Sequence, residues 1–237
     1  STLCGFEKGQ TTADLGGKKL GPGDARLIAW DLAAGPFVSA SLTSIDLSRN
    51  NLRKDGAVAV ANALHVNASM TKMNVLSNSI GDEGYEILTK VAEEKGILTL
   101  VGFDEGQTEA DLSNKGLGAI DAKLIARELT TGFVSASLTF ISLAGNEIGS
   151  EGAVALGKAL EVNASMKKLN VLSNSIGTEG GQALVDAAPP QLQTFCGFEE
   201  GQTEANLSNK RLGPGDAVLL AWELTTGYVS ASITKLK

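Results

Sequence analysis

LTSIDLSRNNLRKDGAVAVANALHVNAS, from Leu42 to Ser69, and LTFISLAGNEIGSEGAVALGKALEVNAS, from Leu138 to Ser165, follow one pattern. Apolar residues alternate at strand spacing over residues 42–47 and recur at helical spacing over residues 57–64. Each stretch therefore predicts a short strand, a turn and an amphipathic helix. A single unit of this kind cannot bury both of its apolar faces, so the pattern predicts that units stack on their neighbours.

The chain also repeats over a longer distance. MNVLSNSIG at Met73–Gly81 returns as LNVLSNSIG at Leu169–Gly177, which is 96 residues later. CGFEKGQ, VGFDEGQ and CGFEEGQ begin at residues 4, 101 and 196. We therefore expect one domain over residues 1–237, with about seven repeats in a super-repeat of about 96 residues: 1–96, 97–191 and a partial 192–237.

One kind of repeat departs from the others. In the stretches at Ala13–Leu32, Ala110–Leu129 and Ala205–Leu224, the Asn of the turn is replaced by Lys18, Lys115 and Lys210. Each stretch follows an additional strand-like piece and a Gly-rich connector. The sequence leaves open which of the two strand-like pieces joins the main sheet.

The pattern L-x-x-I-x-L-x-x-N-x-L followed by a helix resembles leucine-rich repeats of the ribonuclease-inhibitor type, and the resemblance covers essentially the whole chain. It implies an α/β fold, a right-handed solenoid curved into an arc. A parallel β-sheet would line the concave face and helices the convex face. Because both ends fall within the repeat pattern, we expect a fragment of a longer tandem-repeat protein.

Composition excludes several classes of function. A net charge of −7 argues against nucleic-acid binding, and no apolar run is long enough to insert in a membrane. One His and two Cys do not provide a zinc cluster or a disulfide framework. We therefore expect no enzyme activity, no cofactor, no metal and no small-molecule substrate. Buried, reduced cysteines would fit an intracellular, cytoplasmic location.

A ladder of Asn residues recurs at the turns of the other repeats. A buried Asn at such a turn is typically needed to hydrogen-bond backbone groups of adjacent turns. The sequence therefore favours a structural role over a binding role for Asn50, Asn78, Asn146 and Asn174.

Side chains between the inward strand positions would face the concave surface. They are mostly small and polar, with an apolar strip predicted at Leu76, Phe140 and Leu172. The candidate partner-binding residues on this face are Asp46, Lys72, Asn74, Leu76, Asp111, Phe140, Lys168, Asn170 and Leu172.

The convex face and the connectors offer a second candidate surface. Trp30, Arg127 and Trp222 occupy equivalent helix positions, where packing is favoured because a large exposed aromatic is uncommon outside interfaces. The change to Arg127 keeps an interface role open, since Trp and Arg are both typical interface anchors. The connectors G-F-x-x-G-Q-T, with Gln10, Gln107 and Gln202, carry acidic residues and lack a P-loop ending. We interpret them as rigid turns, with a repeated docking point as the alternative.

These features favour a non-catalytic scaffold that recognises another protein through its concave face. A structural spacer within a large assembly is an alternative. The resemblance also implies possible regulation of a GTPase, by fold analogy alone. Inhibition of a ribonuclease fits poorly, because those relatives are rich in Cys and this chain has two.

Overall fold

The protein is described by a computed structural model over residues 2–35, 38–131, 134–226 and 229–237. The chain divides into two compact units, Ser1–Phe103 and Asp104–Lys237. Both units alternate short strands with helices, as the sequence predicts. The grouping into one domain with three super-repeats stays a prediction.

The first unit contains three parallel strands in the order β1-β2-β3, with Ala13, Ile45 and Met73 in register. Helix α3 packs between α1 and α4. The elements are β1 (Thr12–Asp14), α1 (Pro22–Ala34), α2 (Val38–Ser41), β2 (Ser44–Asp46), α3 (Arg53–Val66), β3 (Lys72–Asn74) and α4 (Gly81–Lys95).

The second unit repeats this arrangement and extends it. Strands β4-β5-β6 form one parallel sheet, β7 pairs in parallel with β8, and helices α5 to α8 pack in sequence order. The elements are β4 (Glu109–Asp111), α5 (Ala119–Thr130), β5 (Phe140–Ser142), α6 (Gly149–Leu160), β6 (Lys168–Asn170), α7 (Gly177–Asp186), β7 (Glu204–Ala205), α8 (Pro214–Thr225) and β8 (Lys235–Leu236).

Three classes of repeat follow one another along the chain. We name them by their helices: α1, α5 and α8 belong to the first class, α3 and α6 to the second, and α4 and α7 to the third. First-class helices begin after a Gly whose N–H donates to an Asp three residues later, as Gly213 does to Asp216 at 2.7 Å. This hydrogen bond from the backbone to the Asp carboxylate fixes the start of the helix.

The core lies between the sheet and the helices. The middle residue of each three-residue strand is buried, while its two neighbours are more exposed or face the opposite side. Leucines of the strand–helix turns and the apolar stripes of the helices fill the rest of the core, as at Leu47, Leu52, Val60 and Leu64. Stacking of repeats therefore buries what no single repeat could bury.

The two strand-like pieces of a first-class repeat join different sheets. Leu169 N–H donates to Thr194 O and Val171 N–H to Phe195 O, both at 3.0 Å, so the first piece adds to β6. The second piece is β7, which pairs with β8. Among the described residues, the ladder of backbone hydrogen bonds between strands is therefore interrupted at the connector. The sequence left open which piece joins the main sheet, and the structure shows that each piece pairs with a different neighbour.

Candidate partner-binding surfaces

The Asn ladder ties each turn to the turn before it. The Asn78 amide donates to Leu47 O in the preceding repeat at 2.8 Å and to Val75 O in its own at 3.0 Å. Asn174 makes the same bonds to Leu143 O and Val171 O. These groups are buried and satisfy backbone carbonyls, so they are not available to a ligand.

The ladder also serves the turns that carry Lys. Asn50 donates to Leu15 O and accepts from the N–H of Leu20, both in the preceding first-class repeat. Asn146 accepts from the N–H groups of Lys115 and Leu117. In a first-class turn, which has Lys in place of Asn, the backbone is therefore hydrogen-bonded by the Asn of the repeat that follows.

A second Asn ladder at the helix ends went unrecognised in the sequence. Asn67 and Asn163 are 3% and 4% exposed, and their amides donate to Leu32 O and Leu129 O of the preceding helices. Their side-chain oxygens accept from the backbone at Ser69 and Ser165. The recurrence of VNAS at a spacing of 96 was the available signal, and the burial of both Asn side chains gives that motif a structural explanation.

The sheet face is the side of the strands opposite the helices. Its middle polar row forms local turns, in which each carboxylate or amide oxygen accepts from the N–H two residues later. The donors to Asp46, Asn74, Asp111 and Asn170 are Ser48, Leu76, Ser113 and Leu172. Hydrogen bonds from the Ser113 hydroxyl and N–H lower the pKa of Asp111. Some of the polar side chains on this face are therefore used to hydrogen-bond the backbone just after each strand.

The expectation of an apolar strip on the sheet face is wrong. Leu76 and Leu172 are only 4% and 5% exposed, so they belong to the buried core. Phe140 is half-buried and lines a shallow pocket of about 280 Å³ with Lys168, whose Nζ lies 2.6 Å from Glu199 Oε2. Lys72 is half-buried on the sheet face of the first unit.

A larger recess opens in the second unit where the sheet is interrupted. Its volume is about 600 Å³, and connector residues 196–198 form part of its wall. Leu172 and Ala144 contribute apolar surface, and the other lining side chains are mostly polar. The polar and charged ones include Asn114, Glu147, Asn170, Asn206, Lys210 and Arg211.

The wall of this recess that carries Lys210 is held in place. The Ser173 hydroxyl donates to Lys210 O at 2.6 Å, and the Ser173 N–H donates to Asp216 Oδ1 at 2.8 Å. Asp216 is 1% exposed and also caps α8. The exposed side chains of Lys210 and Arg211 therefore project from a fixed turn.

The three connector Gln residues close their own loops. Gln202 Oε1 accepts from the N–H of Glu199 at 3.0 Å, and its amide donates to Glu204 O at 2.9 Å. Gln10 and Gln107 make the same pair of bonds at 2.8–2.9 Å. Since both polar ends are engaged, these side chains brace a rigid turn and offer little to a partner.

Of the three candidate residues on the helices, only Trp30 is exposed, at 47%. Trp222 packs edge-on against Phe195, with ring centroids 5.1 Å apart. The Arg127 side chain is 10% exposed and its Nη1 lies 3.5 Å from Glu128 Oε1. Trp222 and Arg127 therefore pack within the fold, as the favoured interpretation of these positions predicts, and Trp30 alone of the three stays a candidate surface residue.

The residue after each of these three positions is a fully buried acid: Asp31, Glu128 and Glu223. Asp31 accepts from the N–H groups of Leu3 and Cys4, and Glu223 accepts from those of Phe195 and Cys196. Asp31 and Glu223 therefore anchor the first strand-like piece of their repeats to the helix. In the sequence, the only sign of these buried acids was that an acidic residue follows Trp or Arg each time the repeat recurs. An acidic residue at an ordinary solvent-exposed helix position would look the same.

Burial and two of these acids together set the chemistry of the two free cysteines. Burial and a hydrogen bond to Asp31 raise the pKa of Cys4 to about 12. Burial and the nearby Glu223 raise the pKa of Cys196 well above its usual range. Both groups are therefore held as thiols, which are poor nucleophiles.

No group of three or more His, Cys, Asp or Glu residues that could hold a metal occurs in the described ranges. Across the same ranges, no helix combines the length and apolarity needed to cross a membrane.

Parallel three-residue strands, helices on one side of them and bridging Asn ladders define an α/β repeat protein. Residues 38–61, 134–157 and 162–185 match the family described as Leucine Rich repeat. These three segments are leucine-rich repeats, and the ribonuclease-inhibitor type stays a resemblance. Repeats of this family typically form non-catalytic modules for protein–protein interaction. A comparison with curated proteins found no match.

Proposed function

We propose that this chain is a non-catalytic recognition module that binds a protein partner through the sheet face of its second unit. The recess of about 600 Å³ at the sheet interruption carries the proposal. It combines preformed walls with exposed hydrogen-bonding groups, and preformed sites lose little free energy to ordering when they bind. The free cysteines Cys4 and Cys196 fit a reducing, intracellular compartment.

The charges of the recess favour a partner segment that carries a carboxylate. Lys210 and Arg211 are exposed on the wall that Ser173 fixes, while Asn170 and Asn206 provide amides nearby. Glu147 also lines the recess, and its carboxylate favours a hydrogen-bond donor on the partner. A polar loop or chain end with both kinds of group would fit this arrangement.

Reversal of the two cations tests the proposal. Affinity capture from the source lysate should identify a partner, whose affinity for Lys210→Glu/Arg211→Glu we expect to be at least about tenfold weaker. Lys18→Glu/Lys19→Glu is the matched control, because the first-class turn of the first unit carries these exposed cations at the corresponding positions. Lys19 and Arg211 both have positive φ, so any effect of local backbone strain is shared.

The two variants separate the possible outcomes. Loss of binding in the recess variant alone supports the proposal. Equal binding by both variants, or equal loss in both, contradicts recognition at the recess. Phe140→Ala then asks whether the shallow pocket beside Lys168 is used instead.

A structural subunit within an assembly is the second candidate. The exposed apolar side of α1, with Leu27 and Trp30 at 46% and 47% exposure, favours it. In that case a partner should resist changes on the sheet face and be lost on substitution of Trp30. Regulation of a GTPase rests on the family resemblance alone.

A further inference from the structure

The first unit carries a group of exposed cations on two neighbouring turns. Lys18 and Lys19 lie in the turn that follows β1. Arg49 lies in the turn that follows β2, and Arg53 is the first residue of α3, directly after that turn. All four residues are exposed, and we call them the basic patch.

These turns concentrate positive charge in a chain that is acidic overall. Residues 15–20 and 48–54 contain five cations and no acidic residue, while the net charge of the whole chain is −7. The corresponding turns of the second unit, residues 112–117 and 144–150, contain one Lys and one Glu. The positive charge is therefore a property of the first unit and not of the repeat pattern.

Backbone hydrogen bonds hold the two turns of the basic patch side by side. The N–H of Gly17 donates to Ser48 O and the N–H of Asn51 donates to Leu20 O, both at 2.8 Å. On the other side, the N–H groups of the two Arg residues donate to carbonyls of the third-class repeat that follows, at 2.9 and 3.0 Å. Because the turns are fixed before a ligand arrives, binding loses little free energy to ordering the backbone.

Three of the four cations occupy backbone positions that favour glycine. Lys19, Arg49 and Arg53 have φ angles of 61°, 56° and 55°. Side chains are sterically disfavoured at positive φ, so backbone geometry gives no reason for Lys or Arg at these positions. Backbone strain of this kind concentrates at functional sites. The second unit has Gly at all three corresponding positions, with φ of 63–70°: Gly116, Gly145 and Gly149.

The neighbouring turn leaves room for one of these side chains. A Cβ on Gly145 would lie 2.4 Å from the side-chain oxygen of Asn114 in the preceding repeat. In the first unit, Gly17 corresponds to Asn114 and Arg49 corresponds to Gly145. The small residue and the larger side chain are therefore exchanged between the two turns, which lets the first unit present a cation where the second unit presents none.

The side chains of the basic patch are available to a ligand. Among the described residues, those of Lys18, Lys19 and Arg49 make no hydrogen bond or ion pair. Arg53 Nε donates to Asn51 Oδ1 at 3.2 Å, which keeps its two Nη groups for another acceptor. Four positive charges on two fixed turns therefore need an acidic counterpart.

The surroundings favour carboxylates of a protein as that counterpart. Asp14 and Asp46 lie on paired strands just before the two turns, and their oxygens accept from the N–H groups of Gly16 and Ser48. Nucleic acid or an anionic membrane would be repelled by these carboxylates and by the net charge of −7. A protein segment can instead place carboxylates on the cations, with two-point hydrogen bonds to Arg, and its own N–H groups toward the two Asp residues.

We propose that the basic patch is a docking surface for an acidic, extended segment of a protein. The cations lie on two adjacent turns, so a segment that crosses both turns meets all of them. This site belongs to the first unit, while the recess proposed above belongs to the second, and neither proposal depends on the other.

Glycine substitution tests the basic patch without a cost to the fold. Arg49→Gly/Arg53→Gly removes two cations and introduces the residue that the second unit has at both positions. We expect its affinity for a fluorescein-labelled peptide of eight Glu residues, measured by anisotropy, to be at least about tenfold weaker than that of wild type. Its unfolding midpoint should be equal or higher, because Gly tolerates positive φ.

Two controls make the result specific. Lys210→Gly/Arg211→Gly removes two exposed cations from the second unit and changes the net charge equally, and it should weaken binding of the Glu peptide less than about twofold. Lys18→Glu/Lys19→Glu should lose the Glu peptide and keep the partner of the recess, so the two proposals fail separately.

The proposal is overturned if Arg49→Gly/Arg53→Gly binds the Glu peptide as wild type does. Equal loss of affinity in that variant and in Lys210→Gly/Arg211→Gly would also contradict it, because net charge alone would then explain the binding. Tighter binding of an eight-nucleotide thymidine strand, or of vesicles that contain phosphatidylserine, would overturn the assignment to a protein ligand.

Discussion

Glu223 is a carboxyl group placed entirely inside the fold. Its Oε1 accepts from the Thr194 hydroxyl at 2.6 Å and from the N–H groups of Phe195 and Cys196. Its Oε2 is buried and has no hydrogen-bond partner. Burial disfavours the charged form and raises the pKa of Glu223 above its usual 4.5, although the accepted hydrogen bonds oppose this rise.

This raised pKa predicts a pH-dependent loss of stability. Between the pKa of the unfolded chain and the higher pKa of the folded chain, the folded state holds more protons, so the free energy of unfolding falls as the pH rises. Glu223→Gln removes that carboxyl and its titration. We therefore expect wild type to lose stability relative to Glu223→Gln as the pH rises from about 4 through the folded pKa.

Urea unfolding of both proteins across this pH range measures the effect. Glu161→Gln, at an exposed position, is the control and should follow the wild-type curve. A constant difference between wild type and Glu223→Gln at all pH values would show that this buried carboxyl has no raised pKa.

At the scale of elements, successive helices approach closely because a Gly of one faces an Ala of the one before. A Cβ on Gly180 would lie 2.9 Å from Ala153 Cβ, and one on Gly84 would lie 3.1 Å from Ala57 Cβ. Both glycines are buried near the start of third-class helices. The spacing of the helix layer is therefore set where two small residues meet.

Gly180→Ala should lower the free energy of unfolding by about 1–3 kcal/mol, because the added methyl group overpacks the α6–α7 contact. Gly23→Ala is the matched control in a first-class helix, where a Cβ meets open space. It should be neutral or stabilise by up to about 1 kcal/mol, since Ala is the better helix former. Urea denaturation compares the two, and equal stability in both variants would contradict the close approach.

At the scale of the whole molecule, each repeat depends on its immediate neighbours. Helix α6 packs on both α5 and α7, and α3 packs on both α1 and α4. Among the helices that the structure describes, α8 packs on α7 alone. In such a stack, stability is roughly the sum of repeat and nearest-neighbour terms, so α8 should open more readily than α6.

Hydrogen exchange measures this difference directly. Amides of α6 (Gly149–Leu160) should exchange about tenfold or more slowly than those of α8 (Pro214–Thr225), since one extra helix contact stabilises the closed state by more than about 1.4 kcal/mol. The two helices have equal length, which makes the comparison direct. Equal protection in α6 and α8 would mean that the unit opens as one cooperative body.

The sequence by itself determined the class of fold and the order of strand, turn and helix. In residues 42–64, apolar residues recur first at strand spacing and then at helical spacing, and this pattern depends only on local geometry. It recurs often enough along the chain to predict the elements without knowledge of their tertiary contacts. Asn78 could be assigned to a structural ladder for the same reason, since every turn of that shape leaves backbone carbonyls to satisfy.

Only the tertiary structure decided which side chains remain available to a partner. Leu76 and Trp222 are indistinguishable from surface residues by spacing, yet the fold buries Leu76 and packs Phe195 on Trp222. The recess beside Lys210 exists because the sheet is interrupted at a connector whose strand-like pieces pair with different neighbours. Such accessibility depends on contacts between residues far apart in the chain, and periodicity within one repeat carries no information about them.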